Sequence, residues 1–250
     1  MSGHSKWANI RIRKGKQDAK RGKLFTKLSK EILIAGKGGP DPESNFRLKV
    51  AIQKAKENNV PSTNIERLLD KIRGGGQESY DEITYEGYGP HGVAVLVEAA
   101  TDNRNRTAAQ IRTIFSRHGG NLGEGGCVAW LFDKRGFILV EDESLDEEAL
   151  LMAAMEAGAL DMEADGGTFS IYTEPTELHQ VKDALESAGI QPREVQFTML
   201  PKNTVACDRE AASSVMQLLE ILEEHDDVQN VYANADIPDE VLEELEAGVA

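Results

Sequence analysis

Apolar side chains recur with a helical period in the first third of the chain. One stripe, within residues 24–35, shares a single helix face, and the Gly-Gly-Pro sequence at 38–40 should end that helix. Two further stripes, at 48–55 and 65–72, repeat the i, i+3, i+4, i+7 spacing of a buried helix face. The pattern therefore predicts three short amphipathic helices that pack as a small bundle.

After this first third, helical patterns alternate with short runs rich in β-branched residues. Residues 93–97, 102–118 and 127–132 have the patterns of a strand, a helix and a strand, which predicts a β-α-β piece. Residues 135–200 follow the order strand, helix, strand, strand, helix, strand, which is the ferredoxin-like order. A last helix and strand, within residues 209–232, are too few for a domain and would complete the earlier piece.

The predicted fold class is α+β, with an N-terminal three-helix bundle plus two α+β domains. One of these domains is ferredoxin-like (β-α-β-β-α-β) and is inserted in the other. The predicted boundaries are 1–76 for the basic arm and helical bundle, 77–134 with 201–240 for the discontinuous α+β domain, 135–200 for the inserted ferredoxin-like domain and 241–250 for an acidic tail.

Charge is divided unevenly along the chain. The 250 residues hold 28 Lys or Arg and 43 Asp or Glu, so the net charge is −15. Residues 1–73 hold 18 Lys or Arg and 7 Asp or Glu, whereas residues 74–250 hold 10 and 36. An acidic average argues against a polyanionic partner, but the basic first third can bind phosphate groups by displacing counterions.

The sequence offers little for catalysis or for metal binding. The five histidines never form an i, i+4 pair, and neither HExxH nor CxxC occurs, so we expect no metal site and no cofactor. Cys127 and Cys207 lie in apolar contexts and are predicted to be reduced thiols. No nucleophile motif is present, so we expect no enzyme activity and no small-molecule substrate. The acidic run at 223–227 is interpreted as a solvated helix end.

Neither a signal peptide nor a membrane span is expected. Residues 1–30 contain no apolar run of a signal-peptide core, and no segment approaches the roughly 18 apolar residues of a spanning helix. The predicted location is the cytoplasm, and no membrane partner is expected.

The candidate chemistry is cationic and concentrated near the N-terminus. Lysines between residues 16 and 30 are spaced 4, 3, 4, 3, so they share one helix face that should point away from the core. Trp7 is available to stack on an unpaired base. The predicted nucleic-acid-binding residues of this segment are Lys6, Trp7, Arg11, Arg13, Lys14, Lys16, Lys20, Arg21, Lys23, Lys27 and Lys30.

A second candidate lies in TDNRNRT, residues 101–107, where a strand ends and a helix begins. Thr101 or Asp102 can cap the helix while Arg104 and Arg106 form salt bridges, which is the plainer interpretation. The same arginines and the free N–H groups of the helix start also suit a phosphate. Position alone leaves both interpretations open.

Three stretches of the sequence carry a family resemblance. GHSKWANIRIRKGKQDAKRGKLFTKLSKEI, GPHGVAVLVEAATDNRNRT and GGNLGEGGCVAWLFDKRG closely resemble the YebC family, which includes the mitochondrial translational activator of cytochrome oxidase. The resemblance covers essentially the whole chain. This chain has Phe46 where the family often has proline and Cys127 where it often has serine, and neither departure touches the basic arm.

The resemblance implies a cytoplasmic protein of three domains that acts in gene expression. Family members are described as transcriptional regulators that bind DNA, whereas others resemble translation factors that act on ribosomes at difficult sequences such as proline runs. The expected partner is therefore DNA or ribosomal RNA, with the ribosome in the second case. The leading expectation is a DNA-binding transcriptional regulator, the alternative is a ribosome-associated translation factor, and the second alternative is a protein-interaction adaptor.

Overall fold

A computed structural model describes residues 21–74 and 80–247. Its helices are α1 (Arg21–Ala35), α2 (Phe46–Glu57), α3 (Ser62–Arg73), α4 (Arg104–Arg117), α5 (Glu147–Ala157), α6 (Leu178–Ser187), α7 (Arg209–Glu224) and α8 (Asp239–Ala247). Its strands are β1 (Asp81–Tyr88), β2 (Ala94–Thr101), β3 (Asn121–Leu122), β4 (Phe132–Glu141), β5 (Ala159–Asp165), β6 (Thr168–Thr173), β7 (Glu194–Pro201), β8 (Val205–Ala206), β9 (Val228–Ala233) and β10 (Ala235–Asp236).

The described residues form two compact units. The first unit contains the described residues up to Phe132 together with those from Pro201, and the second contains Asp133–Leu200. Helix and sheet occur together in both parts of the α+β fold, so the predicted fold class is confirmed. No described helix has the length and apolar character needed to cross a membrane.

Helices α1, α2 and α3 form the predicted bundle around a shared apolar core. Leu28, Ile32, Leu48 and Ile65 lie at its centre with side chains 4% exposed or less. Asn45 accepts a hydrogen bond from the Leu48 N–H and donates to the carbonyl oxygens of Ala35 and Gly39. Because an N-cap residue fixes where a helix begins, α2 starts directly after Asn45.

The first unit also contains a four-stranded antiparallel sheet in the order β3-β1-β2-β9. Helices α4 and α7 pack against one face of it, through Ile111 and Phe115 from α4 and Leu218 and Leu222 from α7. Helix α8 adds Leu242 to the same core. The sheet places the end of β2, the start of α4 and the end of α7 close together.

The predicted strand at 127–132 is wrong. Its residues form a turn with a 3-10 helix at Ala129–Leu131, and strand β4 begins only at Phe132. Strand β2 instead pairs with β1, along all eight residues of each strand. Strand β1 reads DEITYEGY, and its acidic residues hide the period-2 pattern that would predict a strand.

The second unit has the predicted ferredoxin-like fold. Its elements follow the order β4-α5-β5-β6-α6-β7, and its sheet has the strand order β5-β6-β4-β7. Strand β6 pairs antiparallel with both β4 and β5. The order of patterns in the sequence therefore predicted this topology correctly.

Candidate nucleic-acid interface

Part of the predicted interface lies outside the described residues. This part comprises seven positions: Lys6, Trp7, Arg11, Arg13, Lys14, Lys16 and Lys20. The described chain begins at Arg21, the first residue of α1. Nucleic-acid binding by these seven side chains stays a prediction.

The lysines of α1 do not point outward as a free cationic face. Lys23 Nζ donates to the carbonyl oxygen of Glu224 at 3.2 Å, and Lys27 Nζ donates to that of Glu223. Both acceptors belong to the last turn of α7, whose carbonyl groups have no partners within the helix. A helix C-terminus carries partial negative charge, so lysine side chains stabilise it. The α1 lysines thus hold the bundle against the end of α7.

Lys30 is the most deeply placed cation of this face, with 8% of the residue exposed. Its ammonium group lies 2.9 Å from Asp227 Oδ1, 3.0 Å from the Asp226 carbonyl oxygen and 3.4 Å from the Ala100 carbonyl oxygen. These three acceptors match the three hydrogens of a lysine ammonium group. In this conformation Lys30 has no donor left for a phosphate, and the expectation that it points outward is wrong.

Asp227 is the central acceptor where α1 meets the end of α7, a contact that we call the junction. Its Oδ2 accepts from the hydroxyl groups of Thr101 and Thr107 at 3.2 and 2.8 Å and from Arg106 at 2.9 Å. Burial by itself raises the pKa of the carboxyl group, but the hydrogen bonds from Lys30, Thr107 and Arg106 outweigh it. The pKa of Asp227 is therefore held well below its usual range, and the carboxylate stays charged.

The TDNRNRT sequence supplies both the cap of α4 and part of this junction. Asn103, rather than Thr101 or Asp102, caps the helix and accepts from the Arg106 N–H at 3.1 Å. Arg106 joins Asp102 at 2.8 Å as well as Asp227, and Arg104 lies 3.3 Å from Asp81. The structure has the capping and salt-bridge arrangement. Phosphate contact by Arg104 and Arg106 stays a prediction.

The acidic run at 223–227 is therefore not a uniformly solvated helix end. Asp227 is buried, and the half-buried ring of His225 has partners on both nitrogen atoms. Its Nδ1 accepts from the Asp227 N–H at 3.1 Å, and its Nε2 lies 3.0 Å from Gln110 Oε1. A neutral ring that carries its proton on Nε2 satisfies both contacts, so the junction favours the uncharged imidazole.

Acidification is expected to weaken the junction through His225. Burial lowers the pKa of His225, and this effect, together with Lys27 and Lys30, outweighs the opposing influence of Asp227 and Asp226. The unfolded chain therefore takes up the proton first, so the stabilisation is complete above about pH 6.5 and is lost as the pH falls toward the lowered folded pKa. Urea unfolding between neutral pH and about pH 5 should show this loss.

The His225→Gln variant should lack this part of the pH dependence, because glutamine does not titrate. His179→Gln provides the matched control, since the His179 side chain is 46% exposed and lies in the second unit. Parallel pH profiles for the wild type and His225→Gln would contradict the prediction.

A second ordered feature is centred on Glu86, near the end of β1, and was not predicted from the sequence. Glu86, 7% exposed, accepts from the N–H groups of Gly126, Val128 and Ala129 at 2.7, 2.9 and 2.7 Å. Burial raises the pKa of Glu86, but these three bonds outweigh it and leave the pKa lowered. The carboxylate fixes the loop from residue 123 to residue 129. The sequence alone does not identify Glu86 for this role, because the chain contains many acidic residues.

The described residues offer little support for thiol or metal chemistry. Burial and the Glu86 charge raise the pKa of the Cys127 thiol, and burial raises that of Cys207. Both cysteines are free thiols, and a raised pKa disfavours the reactive thiolate. Within residues 21–74 and 80–247, no three His, Cys, Asp or Glu side chains are arranged to hold a metal ion.

Comparison with known proteins places these features in a family. The model of the TACO1/YebC protein N-terminal domain matches residues 5–75, and the model of the TACO1/YebC second and third domain matches residues 80–235. A relative from Natranaerobius thermophilus is 54% identical over 97% of this chain and 99% of its own length. A relative from Dictyoglomus turgidum is 53% identical over 98% of this chain and 100% of its own. Both are named probable transcriptional regulatory protein.

A solved structure shares the fold as well as the sequence. The crystal structure of Aq1575, a conserved hypothetical protein from Aquifex aeolicus, matches with a TM-score of 0.81 and 49% identity. The match covers 88% of this chain and 92% of that one. The two family models together span most of the sequence, and full-length relatives exceed half identity. This chain belongs to the TACO1/YebC family.

Proposed function

We propose that this protein is a nucleic-acid-binding regulator of gene expression that attaches through its basic N-terminal segment. One observation carries the proposal. Residues 1–20 hold six Lys or Arg and one acid, whereas Lys23, Lys27 and Lys30, which follow them, are engaged within the chain. The sequence before Arg21 thus has a surplus of five positive charges. Such a surplus favours a polyanionic partner.

Helix α1, which directly follows the basic N-terminal segment in the sequence, is docked on the rest of the first unit. Lys23 and Lys27 hold α1 to the end of α7, and the Lys30–Asp227 pair adds a buried contact. Arg47 of α2 also pairs with Glu82 of β1, so a second helix of the bundle joins the sheet. The body of the first unit therefore holds α1, the helix that follows the basic segment in the sequence.

The names of the relatives favour transcription, and hence DNA, as the setting. Contacts between Lys or Arg and phosphate carry no base information, so the basic segment by itself suits DNA and RNA equally. The charge of the rest of the chain favours a second candidate, a ribosome-associated translation factor. The second unit holds 16 Asp or Glu and 4 Lys or Arg, a composition that a wrapped duplex would repel. A protein that contacts ribosomal RNA through one end tolerates that charge better.

The adaptor alternative is weakened by the docking of α1. An adaptor would need its basic helix free to bind an acidic partner, yet the lysines of α1 already bind acidic and carbonyl groups of their own chain. We propose no catalytic role, since the relatives are named as regulators.

Crosslinking in cells, followed by sequencing of both bound DNA and bound RNA, tests the proposal and separates its two settings. Enrichment of promoter DNA supports the transcriptional role, and enrichment of ribosomal RNA supports the translational one. Recovery of neither above a control protein of the same net charge would overturn nucleic-acid binding.

The salt dependence of binding provides a quantitative test in solution. Six or seven phosphate contacts from the basic segment predict a slope of about −5 to −6 for log K against log salt concentration on duplex DNA. Fluorescence anisotropy at a series of salt concentrations measures this slope. A slope near zero would mean that cationic side chains do not carry the binding.

A further inference from the structure

Two exposed aromatic side chains of the first unit donate to the same backbone carbonyl group. Trp130 is 62% exposed and Tyr88 is 41% exposed. The Trp130 Nε1–H and the Tyr88 hydroxyl both donate to the Cys127 carbonyl oxygen, at 3.1 and 3.4 Å. Because their polar groups are already bound to the backbone, what these side chains offer to a partner is mainly ring surface. We call Trp130 and Tyr88 the aromatic platform.

The loop that leads into Trp130 is held in place before any partner binds. The three N–H groups bound to Glu86 belong to residues 126, 128 and 129, on both sides of Cys127. The Gly123 N–H donates to the Glu86 carbonyl oxygen at 2.8 Å, and Tyr88 pairs with Asn121 of β3. A preordered surface loses less conformational entropy on binding than a flexible one. The Trp130 ring therefore extends from a loop that is already ordered.

A cationic helix leads directly into the platform. Helix α4 contains four arginines and no acidic residue, and it ends four residues before Asn121, the partner of Tyr88. Gly120 packs so closely that a Cβ atom there would lie 2.7 Å from the Tyr88 carbonyl oxygen. Arg112 and Arg117 of α4 are exposed, and neither pairs with a carboxylate among residues 21–74 and 80–247. Free guanidinium groups therefore lie on the element that adjoins the exposed rings.

We propose that the aromatic platform binds an unpaired base of a single-stranded nucleic acid, with Arg117 and Arg112 contacting the adjoining phosphates. Exposed rings beside arginines are the combination by which proteins bind single strands, because every base has a face for stacking and every nucleotide has a charge. This inference rests on the proposed function and deepens it. It adds a contact on the body of the protein and selects single-stranded over fully paired nucleic acid.

The exposed carboxylate of Glu124, in the same loop, gives a test of partner charge. It would repel a phosphate near the platform and would attract a basic peptide. Glu124→Gln should therefore strengthen binding of a single strand by a few-fold at low salt. Weaker binding of an oligonucleotide by Glu124→Gln would contradict the proposal.

The chain contains two tryptophans, Trp7 and Trp130, which makes a direct readout possible. In the full-length Trp7→Phe protein all tryptophan emission comes from Trp130. A short oligouridine with an anisotropy label should bind and quench this emission, because a stacked base contacts the indole. The matching oligomer without bases should bind through its phosphates and leave the emission unchanged. Trp130→Ala should weaken oligouridine binding by about tenfold, and Trp130→Phe by less.

Each outcome decides between the platform and the proposed function. Anisotropy that reports binding without quenching, together with unchanged affinity of Trp130→Ala, would overturn the platform and leave binding by the basic segment intact. Absence of any binding would overturn both. Quenching by a proline-rich peptide but not by oligouridine would assign the surface to a protein partner and also overturn the proposal. Met152→Ala, which removes a 59% exposed side chain in the second unit, is the matched control and should bind as the wild type does.

Discussion

Replacing Asp227 by alanine should lower the free energy of unfolding of the first unit by about 3 to 5 kcal/mol. The substitution leaves the Lys30 ammonium group, whose side chain is only 10% exposed, without its counter-ion. It also removes the acceptor shared by Thr101, Thr107 and Arg106. Burying an unpaired charge costs far more than losing an exposed salt bridge. Urea unfolding at neutral pH measures the loss.

The neighbouring Asp226 provides the matched control for this effect. Its side chain is 74% exposed and lies 3.9 Å from Lys23, so Asp226→Ala should cost less than about 1 kcal/mol. The double variant Lys30→Met with Asp227→Ala should recover part of the stability, because both buried charges are then absent. Equal destabilisation by Asp226→Ala and Asp227→Ala would show that the junction is not organised around Asp227.

The helices and the ferredoxin-like unit were predictable because they depend on local order in the sequence. A helical stripe is set by spacing within a dozen residues, as at Leu48, Ala51, Ile52 and Ala55, all of which are buried. Strand β1 was not predictable in this way. Its exposed Asp81 and Glu82 resemble the acids of a loop, and its strand character comes from pairing with β2. The apolar run at 127–132 was wrongly predicted to be a strand. Its composition suits a strand, but its residues form a turn held by the carboxylate of Glu86, about 40 residues earlier in the chain.

The direction of the lysine face could not be predicted from the spacing of its residues. Periodicity states that Lys23, Lys27 and Lys30 share a face, but it does not state what that face meets. Their acceptors lie about 200 residues further along the chain, in the acidic run that sequence reasoning left in solvent. Opposite charges in two separate runs are a signal for contact. With 43 acidic residues in the chain, however, that signal does not identify Asp227 as the partner.

The aromatic platform was not predicted, because residues 127–132 were wrongly predicted to form a strand. Trp130 lies inside the apolar run, where a strand prediction gives it a buried or half-buried position. The glycines at 119–126 indicate a turn but do not show where the turn ends. The hydrogen bonds of Glu86 to residues 126, 128 and 129, which the sequence does not reveal, hold this loop as a turn next to the exposed Trp130 ring.

Neutralising four cations of the basic segment should reduce nucleic-acid affinity on the order of 100-fold at moderate salt. The variant replaces Arg11, Arg13, Lys14 and Lys16 by glutamine. The slope of log K against log salt concentration should become shallower by about 3 to 4, since each lost phosphate contact changes it by about 0.9. Anisotropy titrations of labelled DNA and RNA at several salt concentrations measure both quantities.

The matched control removes the same number of charges from the bundle, by changing Lys49, Lys56, Arg67 and Arg73 to glutamine. All four side chains are exposed, so the variant should fold, and its net charge equals that of the first variant. If net charge alone governed binding, the two variants would lose affinity equally. A large loss for the first and a small loss for the second is expected, because the proposed function places the main phosphate contacts in the segment before Arg21 and not on the bundle. A larger loss of affinity for the bundle variant would place the nucleic-acid-binding surface on the bundle. The docking of α1 would then orient the exposed cations of the bundle rather than the segment before α1.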